Sequence, residues 1–292
     1  MITDIKNKYR YGSVITKLLL INILVFVAQS IILLVFSLGN KQGTFTHFLD
    51  TYLYFPEDIR TFLTRPWTIL TYQFLHSPLG IFHILFNMLY LYFFGRILLD
   101  FINNRYVFPL YIAGGIAGAL VFMITYNLAP VFQTENGILV GASASVLALV
   151  VAAATLAPDY TVFLIIFGAV RLKYIAFAAI LIDIVSISAG SNAGGHLSHL
   201  GGALTGFLFI KSYQRGHNWF NWYFNLEEKL KNIRNKRPKV VHVNPTPKKT
   251  KSTIPEDKQK KLDAILDKIS KGGYESLSSG EKEFLFTVSN EK

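Results

Sequence analysis

The sequence predicts an all-α, polytopic membrane protein in which six transmembrane helices form a bundle and a small soluble helical hairpin follows at the C-terminus. The first observation is composition: 51% of the 292 residues are hydrophobic and only 16% are charged, whereas about a quarter of a soluble domain is charged. The second is position, since the long apolar stretches all lie before residue 214. The third is length, because about 20 apolar residues span a bilayer as a helix.

Six apolar segments account for the predicted spans, and each is compatible with one crossing once tilt and burial are allowed. They comprise residues 17–38, 79–98, 107–126, 140–157, 172–188 and 198–213. The first is too long for the apolar core of a signal peptide and lacks a clear cleavage site, so we expect no cleaved leader. The apolar stretch 161–168 is short, and we interpret it as interfacial or as an extension of its neighbours.

Lysine and arginine residues predict the orientation, because they collect in cytoplasmic loops. They occur before the first segment, between the second and third, between the fourth and fifth, and after the sixth, whereas loops 127–139 and 189–197 have none. Both termini should therefore be cytoplasmic in a multi-pass protein of the cell membrane. The same rule explains the net charge of +11, so we expect a lipid bilayer around the chain and no nucleic acid as a partner.

Changes in composition divide the chain into four parts. We assign 1–16 to a cytoplasmic N-terminus, 17–213 to the membrane domain, 214–256 to an aromatic and basic juxtamembrane segment with a linker, and 257–292 to the soluble hairpin. Residues 219–224 are typical of an interfacial aromatic belt, and residues 229–260 are interpreted as a basic linker against anionic lipid.

The hairpin is predicted from helical spacing and from its end signals. Apolar residues recur at helical spacing in 257–270 and Gly272-Gly273 ends that helix. Ser278 followed by Glu281 predicts a capping box that starts a second short helix. The sequence does not identify a partner for this hairpin.

Four polar side chains fall at one depth of the predicted bundle. In the predicted orientation the second, fourth and sixth segments run from outside to inside. His83 and Asn87 lie early in the second, Ser143 early in the fourth and His199 early in the sixth. A serine hydroxyl is a weak nucleophile until a base removes its proton, and histidine is the usual base. The pattern therefore indicates a serine hydrolase whose site lies a few residues below the outer surface.

Small residues would allow the fourth and sixth segments to pack closely enough for this pair to meet. Gly202 and Gly206 have the spacing that permits close approach of membrane helices. Gly141 and neighbouring alanines supply small residues on the facing segment. We therefore predict that these glycines are helix-packing residues.

The reaction also needs donors for a developing oxyanion and an orientation for the base. We expect donors from the Ser143 N–H at a helix N-terminus and from His83 and Asn87, which share one helix face. Asp183 is the only acidic candidate to orient His199, so we predict a Ser–His dyad rather than a triad.

Other interpretations of the same residues stay open. Serine in a membrane helix often bonds to a neighbouring helix, and an intramembrane histidine can relay protons, so a small transporter is an alternative, although no inverted repeat supports it. His196 is a rival base, but His199 alone has glycines three and seven residues later. Ser145 is a rival nucleophile that should face away from Ser143. The chain has no cysteine, and we expect no metal and no cofactor.

The motifs resemble those of the rhomboid family of intramembrane serine proteases, of the bacterial type, over roughly residues 15–213. They are Thr71-Tyr72-Gln73-Phe74-Leu75-His76, His83-Ile84-Leu85-Phe86-Asn87, Gly141-Ala142-Ser143 and His199-x-x-Gly202-x-x-x-Gly206, with Arg65-Pro66-Trp67 in the first outer loop. The resemblance implies a six-helix rhomboid-like bundle that cleaves transmembrane proteins. It also implies Ser143 as nucleophile, His199 as general base, and His83 and Asn87 with the oxyanion.

Two positions depart from the family pattern. The family commonly has glycine after the nucleophile, where this chain has Ala144. Many members have an aromatic residue four positions after the serine, packed on the catalytic histidine, where this chain has Leu147. The alternative is therefore a catalytically weak rhomboid-like protein that binds transmembrane helices without cleaving them.

Overall fold

A computed structural model describes residues 12–78, 80–132, 137–164, 167–188, 192–234 and 255–290. The chain forms two compact units, Met1–Arg234 and Asn235–Lys292. Most of the predicted N-terminal segment, 1–11, and most of the predicted basic linker, 235–254, lie outside the described residues.

The first unit is built mainly of helices. In chain order its elements are α1 Val14–Leu38, α2 Gln42–Tyr52, β1 Phe55–Pro56, α3 Ile59–Thr64, α4 Thr68–Thr71, α5 Ile81–Leu99, α6 Val107–Leu128, β2 Ile138–Leu139, α7 Ser143–Leu156, β3 Thr161–Leu164, β4 Gly168–Arg171, α8 Leu172–Ser188, α9 Ala193–Gln214 and α10 Asn221–Arg234. The second unit contains α11 Glu256–Gly272 and α12 Ser279–Asn290.

The six predicted apolar segments are helices α1, α5, α6, α7, α8 and α9, and their bounds agree within a few residues. Within the described ranges, three helical stretches are long and apolar enough to cross a membrane: Val14–Leu38, Ile81–Leu99 and Asn104–Leu128. Helix α7 is apolar but has only 14 residues. The all-α membrane bundle predicted from the sequence is confirmed.

Helix α7 lies at the centre of the bundle. Every residue from Ala144 to Ala154 is buried, and α5, α6, α8 and α9 all pack against this helix. Helix α8 lies at the periphery, where Phe177, Ile182 and Val185 are each more than 60% exposed. Such an apolar face is typical of a surface that contacts lipid.

Glycines bring α9 unusually close to α7. A Cβ added at Gly202 would collide with the carbonyl oxygen of Ala144, and one added at Gly206 would collide with that of Ala148. Because membrane helices associate through close packing rather than through a hydrophobic driving force, small residues determine how near they come. This contact brings the N-terminal part of α9 beside the N-terminus of α7.

The segment between α1 and α5, for which we predicted no secondary structure, is folded. Strand β1 pairs antiparallel with β2, with Phe55 opposite Leu139. Two side-chain hydrogen bonds to the backbone also stabilise this segment. Trp67 Nε1 donates to the carbonyl of Tyr52 at 2.8 Å, and Arg65 donates to the carbonyl of Thr51. The strand pair fixes the chain immediately before Gly141 and Ser143.

The interpretation of 161–168 as an extension of the neighbouring helices was wrong, because these residues lie mainly in strands; an interfacial position stays a prediction. Strands β3 and β4 form a hairpin in which Thr161 pairs with Arg171 and Leu164 with Gly168. β-Branched and aromatic residues favour strands. At the strand end Gly168 takes a φ of +69°, a left-handed conformation that glycine adopts without strain. Asp159 accepts hydrogen bonds from Lys173 at 2.7 Å and Arg171 at 3.2 Å, and these bonds, with the positive charges, lower the pKa of its carboxyl.

A second correction concerns residues 229–234, which lie in helix α10 although we predicted that the basic linker begins at residue 229. Phe220 and Phe224 are buried. The ring of Phe224 lies 5.2 Å from that of Tyr106, and the guanidinium carbon of Arg105 lies 3.5 Å above it. Aromatic and cation–π contacts of this kind attach α10 to the loop between α5 and α6.

The predicted helices of the second unit are confirmed. Helix α11 ends at Gly272, and Gly273 adopts a φ of +72°. The Ser278 N–H donates to Glu281 Oε2 at 2.7 Å, which is the reciprocal half of a capping box. Hydrogen bonds from Lys268 and Ser278 lower the pKa of Glu281 to about 2.

Candidate functional site

The four predicted polar residues lie around one cavity of about 450 Å³. Its lining is Phe82, His83, Phe86, Asn87, Ile138, Leu139, Val140, Ser143, Asn192, Gly195 and His199. A second cavity of about 280 Å³ shares Asn87, Ser143 and His199 with the first and also reaches Asp183. Residues from α5, α7, α8 and α9 therefore converge at one end of their helices.

Ser143 is the first residue of α7, directly after a tight turn. The turn needs Gly141, whose φ is +128°, a value that side-chain-bearing residues rarely adopt. The Gly141 N–H donates to the Tyr72 carbonyl at 3.1 Å. The first N–H groups of a helix lack partners within it and carry the positive end of its dipole, so the backbone beside Ser143 favours negative charge.

Gly141, which we predicted as a helix-packing residue, lies against a side chain of α5. Its nearest neighbour is the imidazole of His83, since an added Cβ would lie 2.7 Å from Cε1 and 2.9 Å from Nε2 of that ring. The same Cβ would lie 3.8 Å from Ser143 Oγ. The absence of a side chain at Gly141 therefore lets the His83 ring pack against the backbone two residues before Ser143.

Two histidines of α9 share one carboxylate oxygen of α8. Asp183 Oδ1 lies 2.8 Å from Nδ1 of His199 and 2.8 Å from Nδ1 of His196. The Asp183 side chain is 9% exposed, and the two histidines are 20% and 21% exposed. An ionised carboxylate only accepts hydrogen bonds, so each ring is held with its proton on Nδ1.

Asp183, the only acidic candidate in the sequence, thus contacts His199, whereas we predicted a dyad without it. Asp183 lies in the last two turns of α8, which runs opposite to α9 and so reaches the same end of the bundle. With Nδ1–H of His199 donating to Asp183, Nε2 of that ring carries the free lone pair. No hydrogen bond between described side chains joins His199 to Ser143, although both line the same cavity. Catalytic contacts are often long before substrate binds.

His83 and Asn87 face the cavity from the first two turns of α5. Asn87 Nδ2 lies 3.2 Å from Nε2 of His76, and the rings of His76 and His83 are 5.3 Å apart and nearly perpendicular. His76 is fully buried. His76 has no predicted role beyond its place in the Thr71–His76 motif, and in the structure it lies against both predicted oxyanion residues.

The rival nucleophile Ser145 points away from the cavity. Its hydroxyl is buried and donates to Gln73 Oε1 at 3.1 Å. Gln73 is in turn held by the Ile69 carbonyl, to which its amide donates at 2.7 Å. Ser145 therefore packs between α7 and the segment that joins α1 to α5, and Ser143 is the serine that borders the cavity.

Comparison with known proteins agrees with this architecture. The model of the Rhomboid domain matches residues 63–215, just over half of the chain. The model of a family of unknown function, DUF6576, matches residues 256–291, which contain α11 and α12.

Two curated proteins are similar to about half of the chain. "RHOMBOID-like protein 12, mitochondrial" from Arabidopsis thaliana is 28% identical over 162 residues, covering 52% of this chain and 48% of its own length. "Presenilin-associated rhomboid-like protein A, mitochondrial" from Danio rerio is 28% identical over 144 residues, covering 46% of this chain and 34% of its own length. The matched part of the chain thus spans less than half of the length of each relative. Because the Rhomboid domain model covers more than half of its residues, the chain belongs to the rhomboid family.

Proposed function

We propose that this rhomboid-family membrane protein is a serine endopeptidase that hydrolyses peptide bonds in or near transmembrane segments of other proteins. The observation that carries the proposal is that Ser143 and His199 border one cavity, while Nδ1 of His199 lies within hydrogen-bond distance of Asp183. A hydroxyl, a base with a free lone pair and a group that orients the base are the parts that acyl transfer requires.

The proposed first step is attack of Ser143 Oγ on the scissile carbonyl carbon. His199 Nε2 takes the hydroxyl proton as the Oγ–C bond forms, and the Asp183 carboxylate stabilises the imidazolium. Collapse of the tetrahedral intermediate breaks the C–N bond, and His199 passes the proton to the leaving amine. Water then attacks the acyl-enzyme by the same route, releasing the new carboxyl end and restoring Ser143.

The oxyanion of that intermediate would be stabilised from two sides. The Ser143 N–H lies at the N-terminus of α7, where backbone donors and the helix dipole favour negative charge. His83 and Asn87 line the same cavity and carry side-chain donors. His76, bonded to Asn87, is suited to hold its amide in place.

The hydrogen bond between His199 and Asp183 would compensate for Leu147, which occupies a position where many family members have an aromatic ring. Leu147 borders the second cavity together with His199 and Asp183, and an aliphatic side chain provides no ring to stack on the imidazole. The hydrogen bond from His199 to Asp183 would fix the imidazole instead. Without that bond, Leu147 and Ala144 would favour the second candidate, a protein that binds transmembrane helices without cleaving them.

The proposed membrane orientation places both termini in the cytoplasm of a cell membrane, so that the cavity opens near the opposite surface. Helical carbonyls are shielded by their own hydrogen bonds, so the substrate must unwind at the scissile bond. Substrate helices with glycine, proline or small polar residues near their outer end should unwind at least cost. The bacterial type suggested by the sequence stays a prediction.

A serine-reactive fluorophosphonate tests the proposal on the purified full-length protein. We expect covalent labelling at Ser143, no labelling after Ser143→Ala or His199→Ala, and normal labelling after Ser145→Ala, which is the matched control on the same helix. Peptide mass spectrometry locates the adduct. Labelling that is absent from the folded wild-type protein, or equal in Ser143→Ala, would favour the helix-binding alternative.

A further inference from the structure

We propose that Asp183, His196 and His199 form a binding site for a divalent transition metal, with Zn²⁺ as the best match, and that the bound metal reversibly inhibits the protein. The binding half of this inference stands on the geometry alone. The inhibitory half rests on the proposed function.

The three donor atoms are already gathered. Candidate ligand atoms of these side chains all lie within 4.8 Å of one another, and within the described ranges this is the one such group of three side chains. Both histidine Nδ1 atoms lie 2.8 Å from the same oxygen of Asp183. Tetrahedral Zn²⁺ with bonds of about 2.0–2.1 Å separates neighbouring ligand atoms by about 3.3 Å. Each nitrogen would therefore move away from the carboxylate oxygen by about half an ångström, and the widest pair of donors, up to 4.8 Å apart, would close to about the same 3.3 Å.

The helices present the ligands in a way that suits chelation. His196 and His199 are three residues apart on α9 and so lie on one face of that helix, with their ring centres 5.7 Å apart. Asp183 reaches them from α8. Each histidine is about one-fifth exposed, which leaves room for a water molecule as the fourth ligand.

The chemistry of the donors selects the metal. Two imidazoles and one carboxylate suit zinc and its neighbours among the transition metals, whereas Mg²⁺ and Ca²⁺ prefer sites made only of oxygen. The proposed hydrolysis uses one histidine on Asp183 and gives no task to the second. The contact of His196 with the same Asp183 oxygen has a purpose if the three side chains together bind a metal ion.

Metal binding would switch His199 to the wrong tautomer. In the structure Nδ1–H donates to Asp183, so Nε2 is free to take the proton of Ser143. A metal bound at Nδ1 uses that lone pair, and the single proton of the neutral ring must then sit on Nε2. His199 becomes a donor towards the cavity and cannot act as a general base. No proton is lost in the change, because it only moves between the two ring nitrogens.

Binding is tested first, without reference to activity. Titration of the full-length protein with Co²⁺ should give the visible absorption of a low-symmetry, near-tetrahedral site at one equivalent, and Zn²⁺ should displace it. His196→Asn should weaken binding by at least about tenfold, whereas His217→Asn, which alters an exposed histidine elsewhere, should not. Equal binding by both variants, or no saturable site in the wild type, would overturn the proposal.

X-ray absorption on the wild-type Zn²⁺ complex keeps the inference testable even if His196→Asn fails to fold. The spectrum should contain two imidazole ligands and oxygen at about 2.0–2.1 Å. A complex with one imidazole or none would contradict the assignment.

Inhibition is tested by the ratio of fluorophosphonate labelling rates with and without Zn²⁺. In the wild type this ratio should fall at least tenfold and recover when a chelator is added, while in His196→Asn it should stay near one at the same Zn²⁺ concentration. Metal binding with an unchanged labelling rate would overturn the inhibitory half. A protein that binds Co²⁺ as expected but never labels would contradict the proposed function and leave the metal site standing.

Discussion

Replacing Asp183 by asparagine tests how the base is held, and it separates the dyad predicted from sequence from the arrangement in the structure. The carboxylate is buried and lies 2.8 Å from His199 Nδ1. A hydrogen bond to a charged group contributes about 1.5–3 kcal/mol, and each 1.36 kcal/mol is a factor of ten in rate. If the bond acts fully in the transition state, kcat/KM should fall by about 10- to 150-fold. The loss approaches about 10⁴-fold if the asparagine amide also holds the wrong tautomer.

The assay is cleavage of a fluorescent transmembrane substrate by purified full-length protein in liposomes. Asp159→Asn is the matched control, because it removes an exposed carboxylate that contacts only Arg171 and Lys173 among the described ion pairs, and exposed salt bridges contribute little. Thermal unfolding of both variants confirms that the bundle is intact. An Asp183→Asn rate within twofold of the wild type, with a folded protein, would refute the role given to Asp183 and restore the dyad.

Three further outcomes are expected. Gly202→Val should destabilise the bundle by about 1–3 kcal/mol and lower activity, because the valine side chain would collide with the Ala144 carbonyl. Gly43→Val is the control, since a Cβ at Gly43 meets no atom within 4 Å. Equal melting temperatures of the two variants would contradict this prediction. His83→Ala and Asn87→Ala should each lower kcat by up to about 10²–10³, the loss typical of one oxyanion donor, and wild-type rates in both would remove them from the site. Truncation after residue 234 should leave cleavage intact, because the candidate site and α10 precede that point; loss of activity in a folded truncation would implicate the second unit.

The membrane helices could be predicted because length and hydropathy are local properties of the sequence. The depth of His83, Asn87, Ser143 and His199 followed from the predicted orientation, and the structure gathers these four residues at one cavity. Contacts between segments that are distant in the chain could not be predicted from local sequence patterns. The pairing of Phe55 with Leu139 joins residues far apart in the chain, and nothing local marks either as a strand.

Asp183 illustrates the same limit at the site itself. The predicted orientation places Asp183 near the outer end of the fifth segment. Its contact with His199 depends on the rotation of α8 about its own axis, which tertiary packing fixes. Helix α10 was missed because Phe220 and Phe224 were interpreted as interfacial, whereas they are buried against aromatic residues of the bundle.

The most direct test of the central claim is cleavage of a model transmembrane substrate by the purified full-length protein, with the products identified by mass spectrometry. We predict a specific cut by the wild type and by Ser145→Ala, and no cut by Ser143→Ala. The cut should lie near the outer end of the substrate helix. The same cut persisting in Ser143→Ala, or a wild-type protein that binds the substrate and leaves it whole, would contradict the account.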